Sequence, residues 1–324
     1  MESKSKVFLK NLKGSLLYVI TNYPVAVVLL LIVIIVSFFA DNYFTSENFL
    51  NVFRQISVIG ILACGMTFVI IAGGIDLSVG AIISFAGALI INMTKTVSTV
   101  PGIIITVAAG IIIGMISGSI MARIKGRLGE SFMITYGMQT VIAAVTLIYT
   151  GGIYQSGAKD FLFVNIGRGI SPIIIFISIT VIMQFLLTKT RFGRNVYFLG
   201  GNINVARLSG INIGFYRIIV FALNGALAAI AAIVLTSRVG TASPTAGIGY
   251  ELDAIAAVVV GGVSMAGGQG NILNTLLGVI IMGVLGNALN MLNISSYPQM
   301  IMKGIIIIIA VSLDAANKRK GASI

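Results

Sequence analysis

The chain has no histidine, no tryptophan and a single cysteine, and only 9% of its 324 residues are charged. Each shortage removes a class of function. Without histidine there is no imidazole for general acid–base work, for a catalytic triad, for a zinc site or for a haem ligand. One cysteine excludes an internal disulfide and a Cys-rich metal site. Cys64 lies inside an apolar run and reads as a packed core residue. A soluble domain carries about 25% charged residues. A chain with 57% hydrophobic residues and a mean hydropathy of +1.06 has too little polar surface to face water on all sides. A soluble enzyme is excluded first, and the expected solvent is lipid.

The charges that are present are unbalanced, with 21 Lys and Arg against 9 Asp and Glu. In a soluble protein a net charge of +12 would point to nucleic acid. Here the basic residues sit in short stretches between apolar runs, with no basic stripe among exposed aromatics. The reading is a membrane protein whose cytoplasmic loops retain Lys and Arg, and no nucleic-acid partner is expected.

A spanning helix needs about 20 apolar residues, and lipid cannot satisfy a free backbone, so the spans are helical. Ten segments are expected: 24–40, 56–72, 77–93, 100–122, 131–149, 170–187, 218–236, 252–266, 271–292 and 298–313. The pairs 56–72/77–93 and 252–266/271–292 are divided only by Gly-rich breaks, so either pair is open to a broken or re-entrant reading, which leaves eight to ten spans. The fold class is an all-α polytopic membrane protein. Residues 1–23 form a cytoplasmic N-terminal segment, 24–313 one transmembrane domain with a cytoplasmic segment at 188–217, and 314–324 a cytoplasmic tail. With ten spans, fifteen basic residues fall in the N-terminal segment, 123–130, 188–217 and the tail. Only five fall in the opposite loops: Arg54, Lys95, Lys159, Arg168 and Arg238. That asymmetry places both termini in the cytoplasm. Lys303, near the outer end of the last span, is expected to snorkel outward. Gly110, Gly114 and Gly118 recur every fourth residue and read as a helix-packing face.

Three stretches carry more. In Ala72-Gly73-Gly74-Ile75-Asp76-Leu77-Ser78, two glycines stop one helix and Asp76 can cap the next. A carboxylate this close to the apolar zone is either a cap or part of a solute path or gate. Gly74, Asp76 and Ser78 are therefore gate candidates. In the second stretch, Glu251 and Asp253 open a short apolar run that breaks at Gly261-Gly262 and again at Gly267-Gly268. Gly261 and Gly262 join the candidates, because Gly-interrupted spans in both halves of a chain mark transport pathways. Polar residues inside spans are Asn92, Gln139, Asn224, Asn287 and Asn290. They suit either a neutral hydroxylated solute or interhelical hydrogen bonds, and Gln139 and Asn224 lie nearest mid-span. The third stretch, 188–217, is the longest polar connection. Asn202 is a plausible N-cap, Val205 and Leu208 give an apolar face, and Gly210 stops the helix. Such a helix lies on the bilayer or docks in a partner's groove.

The strings GGIDLSVG at 73–80, RFGRNVYFLGGNINVARLSGI at 191–211 and GYELDAIAAVVVGG at 249–262 resemble the permease subunits of ribose-type sugar ABC importers. The resemblance runs from about Asn48 to Leu313. It implies a transport subunit that is not itself an enzyme, in the cytoplasmic (inner) membrane. Its implied partners are a separate ABC ATPase, an extracytoplasmic solute-binding protein and a second permease copy, most simply an identical one. It also implies that Arg191, Gly193, Arg194, Gly201, Asn202, Val205, Ala206, Arg207 and Leu208 belong to the segment that meets the ATPase. No G-x-x-x-x-G-K-[ST] string occurs, and Gly-Lys is absent altogether. ATP and Mg are therefore expected on the partner only, and no cofactor on this chain. An ion-gradient-driven transporter is the rival. It calls for ionisable groups deep in the membrane, and here only Asp76, Asp253 and Lys303 come near, all toward span ends.

Overall fold

The structure is a computed structural model that describes residues 43–124, 128–157 and 160–321, together with Ile34 and Ser37. Apart from those two residues, the expected span 24–40 lies outside the described residues. So do Lys125 and Arg127, and residues 322–324 of the tail.

Helix α1 (Ser46–Ile71) opens on Thr45, whose hydroxyl accepts the Asn48 N–H at 3.2 Å. It stops where Gly73 takes a left-handed φ of 81° that a side chain would resist. Helix α2 (Ser78–Thr96) follows, then α3 (Thr99–Arg123) and α4 (Leu128–Thr150). After β1 (Gln155–Ser156) come the short α5 (Phe161–Ile166) and the long α6 (Ser171–Lys189). The polar connection folds as α7 (Arg191–Gly201) and α8 (Ile203–Leu208). Next are α9 (Ile213–Val239), β2 (Thr241–Ala242), α10 (Tyr250–Val260), α11 (Ile272–Met291) and α12 (Ser296–Gly321). Strands β1 and β2 form one antiparallel pair, Gln155 opposite Ala242 and Ser156 opposite Thr241.

Among the described residues seven helices are long and apolar enough to cross a membrane: α1, α2, α3, α4, α6, α9 and α11. Two expected spans behave differently. Residues 252–266 hold α10, whose 11 residues reach only about 16 Å at 1.5 Å per residue, roughly half of a bilayer core. Gly262, with φ 92°, ends that helix early. Helix α12 carries the last apolar run but continues past 313 to Gly321.

Burial separates the helices by role. In their most apolar stretches α1 is 83% and α9 72% buried, against 28%, 22% and 33% for α3, α4 and α6. Thus α1 and α9 are the pillars, and α3, α4 and α6 turn apolar side chains outward, where lipid is the compatible solvent. Gly110, Gly114 and Gly118 explain how α3 reaches α9. A Cβ on any of them would run into backbone atoms of α9 at Gly225, Phe221 or Ile218. The packing reading of that glycine stripe therefore holds.

The connections gather into two groups. Arg54 donates from Nε to the Gly169 carbonyl at 2.6 Å, and Arg238 donates from Nη1 to the Arg54 carbonyl at 3.1 Å. At the other end the Gly268 N–H donates to the Ile71 carbonyl at 2.8 Å.

Candidate translocation and coupling site

The turn between α1 and α2 is deeply buried, and its polar groups are matched one by one. The Ile75 and Leu77 N–H groups donate to Ser131 Oγ and Thr135 Oγ1 of α4, each at 3.0 Å. Asp76 has no exposed surface. Its Oδ1 accepts the Ser78 N–H at 3.0 Å and the Ser78 hydroxyl at 2.6 Å, and Oδ2 accepts Asn224 Nδ2 at 3.0 Å. Asp76 thus caps the start of α2 and also ties the turn to the middle of α9. Two residues 148 apart in sequence meet, as Gly65 allows: a Cβ there would strike the Asn224 amide.

Gln139 is not part of that cluster. From α4 its Nε2 donates to Glu251 Oε1 at 3.2 Å, in the first turn of α10. Glu251 also accepts the Gly249 N–H. Gly80 makes room for this, since a Cβ there would overlap the Glu251 carboxylate and the Gly247 carbonyl.

The second break is close to the first. Gly261 lies against the Asn274 carbonyl, which brings α10 and α11 together, and Gly262 turns the chain. The 261–271 stretch then reaches Ile71 through the Gly268 N–H. Gly200, at the end of α7, completes the junction. A Cβ on Gly200 would overlap the Ile71 carbonyl oxygen and lie 2.8 Å from the Gly268 nitrogen. A Cβ on Gly267 would in turn meet Gly200 and Gly73. Both span breaks and the α7 end therefore touch at one point made almost wholly of glycine, where backbones meet without side chains between them.

Helix α7 is held on three other sides. Phe192 stacks on Tyr216 at 5.7 Å and lies 6.0 Å from Phe68. Asn195 Nδ2 donates to the Tyr216 hydroxyl at 2.5 Å, and the Tyr197 hydroxyl donates to the Gly270 carbonyl at 2.6 Å. Asn202 caps α8, its Oδ1 accepting the Asn204 and Val205 N–H groups at 3.0 and 3.1 Å. Arg191, Arg194, Gly201, Asn202, Val205, Arg207 and Leu208 are exposed, Leu208 by 89%. Gly193 and Ala206 are buried instead, Gly193 because α7 presses on the Leu187 carbonyl. These two position the segment and do not present a surface.

The remaining polar residues pair across helices. Asn92 Nδ2 donates to the Tyr149 hydroxyl at 3.1 Å, Asn287 and Asn48 exchange bonds at 2.9 and 3.2 Å, and Gln299 Nε2 donates to Asn290 Oδ1 at 2.8 Å. Lys303 departs from expectation. Its Nζ forms an ion pair with Asp253 Oδ2 at 2.8 Å, a partner the snorkelling expectation did not include. Fifty residues separate the two, and no spacing rule reveals such a pair before the fold is known. Among the described residues no three Cys, Asp or Glu side chains gather as a metal site.

Comparison with known proteins settles what kind of chain this is. The family model described as branched-chain amino acid transport system / permease component matches residues 48–311. The chain belongs to this permease family. The ribose import permease protein of Bacillus subtilis is 45% identical to it over 292 residues, covering 88% of this chain and 90% of the relative. That of Haemophilus influenzae is 42% identical over 296 residues, covering 89% and 91%. The xylose transport system permease protein of Haemophilus influenzae is 35% identical over 370 residues, covering 92% and 98%. No solved structure matches the chain. As an ABC-importer permease it moves a solute and performs no covalent chemistry of its own. Its place is the cytoplasmic membrane, which its seven long apolar helices fit.

Proposed function

We propose that the permease is the translocation subunit of an ATP-driven importer for a monosaccharide such as ribose. It works with a separate ATPase, an extracytoplasmic solute-binding protein and a second, identical copy of itself. The observation that carries the coupling half of this reading is the glycine junction. Helix α7 joins an exposed apolar edge, Val205 and Leu208, to both span breaks through Gly200, Ile71 and Gly268. ATP and Mg belong to the partner. When the ATPase moves α8, the rigid α7 transmits the motion to the 72–77 turn and to 261–271. Those turns carry Gly74, Asp76, Gly261 and Gly262, and Ser78 opens the helix that follows the first. The links Asp76–Asn224 and Gln139–Glu251 then hand the shift to α9 and α10. A packed junction of this kind has discrete arrangements rather than continuous ones, as two-sided gating needs.

The reading includes eight to ten spans, some short or broken, with both termini in the cytoplasm. The two groups of connections support it. Ile71, Gly200 and Gly268, which the basic-residue asymmetry assigns to the cytoplasmic side, meet at one end. Arg54, Gly169 and Arg238, assigned to the outside, meet at the other. Sugar as the solute rests on the relatives' names alone, ribose and xylose among them.

The test uses Val205→Cys and Leu208→Cys in the assembled transporter. The native Cys64 is buried. Both introduced thiols should crosslink to the ATPase subunit, and uptake of labelled ribose should depend on ATP. An active complex that gives no crosslink at either position removes the coupling role of α8.

A further inference from the structure

A second polar feature lies at the opposite end of the molecule from the glycine junction. Between α1, α10, α11 and α12 is an open cavity of about 430 Å³, within the roughly 300–1,000 Å³ of small-molecule sites. Its wall is mostly apolar, but six polar side chains converge on it: Gln55, Tyr250, Asp253, Asn290, Gln299 and Lys303. Arg238, of the outer group of connections, stands at its rim. On the proposed topology the cavity lies toward the side from which an imported solute would arrive.

The ion pair inside it is only partly covered. Charges within a membrane-spanning region are costly, and they persist where they pair or line a water-filled path. Asp253 and Lys303 pair at 2.8 Å, and their side chains keep 18% and 32% exposure toward the cavity they line. Asp253 uses Oδ2 on lysine, and its Oδ1 makes no hydrogen bond among the described residues. Lys303 has three donors and one of them is engaged here. The neighbouring Gln299–Asn290 pair adds amide donors and acceptors. Carboxylate, ammonium and two amides around one space are the groups that bind adjacent hydroxyls, each of which donates and accepts. The Tyr250 ring offers an apolar face for the C–H side of a ring.

We propose that this cavity is a binding station for a neutral polyhydroxylated solute at the outer mouth of the path, with Asp253 and Lys303 as its principal ligands. It rests on the sugar-import reading above. A purely structural ion pair is the competing account, and the test separates the two.

The experiment uses the complete transporter in membranes, with D-ribose, D-xylose, D-allose and L-arabinose as probes. Gly286→Cys puts a thiol in the cavity wall, where an added Cβ meets nothing within 4 Å. A membrane-impermeant thiol reagent should label it, and a transported sugar should slow labelling by about fivefold or more, as expected when most of a bound ligand's surface is covered. Asp253→Asn should abolish that protection and lower uptake by roughly tenfold, the scale of one lost charged hydrogen bond. Because Asp253→Asn leaves Lys303 unpaired, the exchange Asp253→Lys with Lys303→Asp is made alongside it. The exchange should restore the amount of assembled complex but not the protection. Unchanged labelling in the presence of a sugar that the complex imports overturns the station. Full recovery of uptake and protection in the exchange variant also overturns it, in favour of a structural pair. A complex that imports none of the four sugars removes the sugar reading itself, and the station falls with it.

Discussion

Replacing Gly200 with alanine puts one methyl group where α7 meets both span breaks. The added carbon would overlap the Ile71 carbonyl oxygen and approach the Gly268 nitrogen to 2.8 Å. Non-bonded contacts to carbon settle near 3.5 Å, so the α7 end must withdraw by about an ångström or more. Overpacking of this kind costs about 1–3 kcal/mol. Weakening the 2.8 Å bond from the Gly268 N–H to the Ile71 carbonyl adds about 0.5–1.5 kcal/mol. Alanine returns up to about 1 kcal/mol through its better helix propensity. The summed range is about 0.5–4.5 kcal/mol, with a midpoint of about 2.5 kcal/mol. At about 2 °C per kcal/mol for a chain of this size, the solubilised permease should lose its monodisperse state some 4–6 °C earlier on heating. Sugar uptake by the assembled transporter should fall while the ATPase still co-purifies. Gly201 supplies the control. It is the next residue in the same helix, yet a Cβ there meets only the Gly268 Cα, at an ordinary 3.9 Å. Gly201→Ala should therefore leave both measurements near those of the native chain. If the two alanine variants behave alike, a tight junction is not what links α7 to the breaks.

Asn224→Leu removes the donor to Asp76 Oδ2 and leaves that buried oxygen unmatched. The expected loss is about 1–3 kcal/mol, read as lower thermal resistance, and it should be strongly non-additive with Asp76→Ala. Additive losses would refute the direct link. At the start of α5, Asp160 accepts the Thr99 hydroxyl at 2.6 Å and the Leu162 N–H at 2.9 Å, and these bonds hold its carboxyl below the usual range. A lowered folded value stabilises the native loop above the free-Asp value of about 3.9. That stabilisation is lost as pH falls through the folded value. Protease cutting within 151–170 should therefore rise on acidification, and Thr99→Val should raise it at neutral pH and flatten the pH profile. Identical profiles for Thr99→Val and the native chain would count against the link.

Much of this molecule was legible before folding was considered, for physical reasons. Lipid imposes a long apolar run on every full span, so α1, α2, α3, α4, α6, α9 and α11 announce themselves in composition. Caps are local, so Asn202 could be read as the start of α8 from its neighbours alone. The glycine stripe at 110, 114 and 118 follows helical periodicity and shows its face directly. What stayed hidden depends on distant parts of the chain. Asp76 with Asn224, Gln139 with Glu251 and Asp253 with Lys303 join residues 148, 112 and 50 positions apart. Gly200 carried a signal that was present but unused. The doublets Gly73-Gly74, Gly200-Gly201, Gly261-Gly262 and Gly267-Gly268 recur in three separate segments, and three of the four contribute directly to the junction. The half-length of α10 escaped because its apolar run continues through Val263 and Met265 after the helix has ended.

The burial of α1 has a consequence for how the chain is made. This pillar leaves the ribosome early, but α6, α9, α10 and α11, which enclose it, are synthesised some 100 to 220 residues later. Until then its inward face has only lipid to cover it, which its apolar composition tolerates. Insertion and packing are thus separated in time for the most enclosed helix. The hydroxyl and amide groups that later match Asp76 arrive in two instalments, Ser78 at once and Asn224 only with α9. A nascent chain halted before α9 holds a membrane-embedded turn whose carboxylate lacks its second partner. Arrival of α9 is therefore the step that completes the burial of this carboxylate.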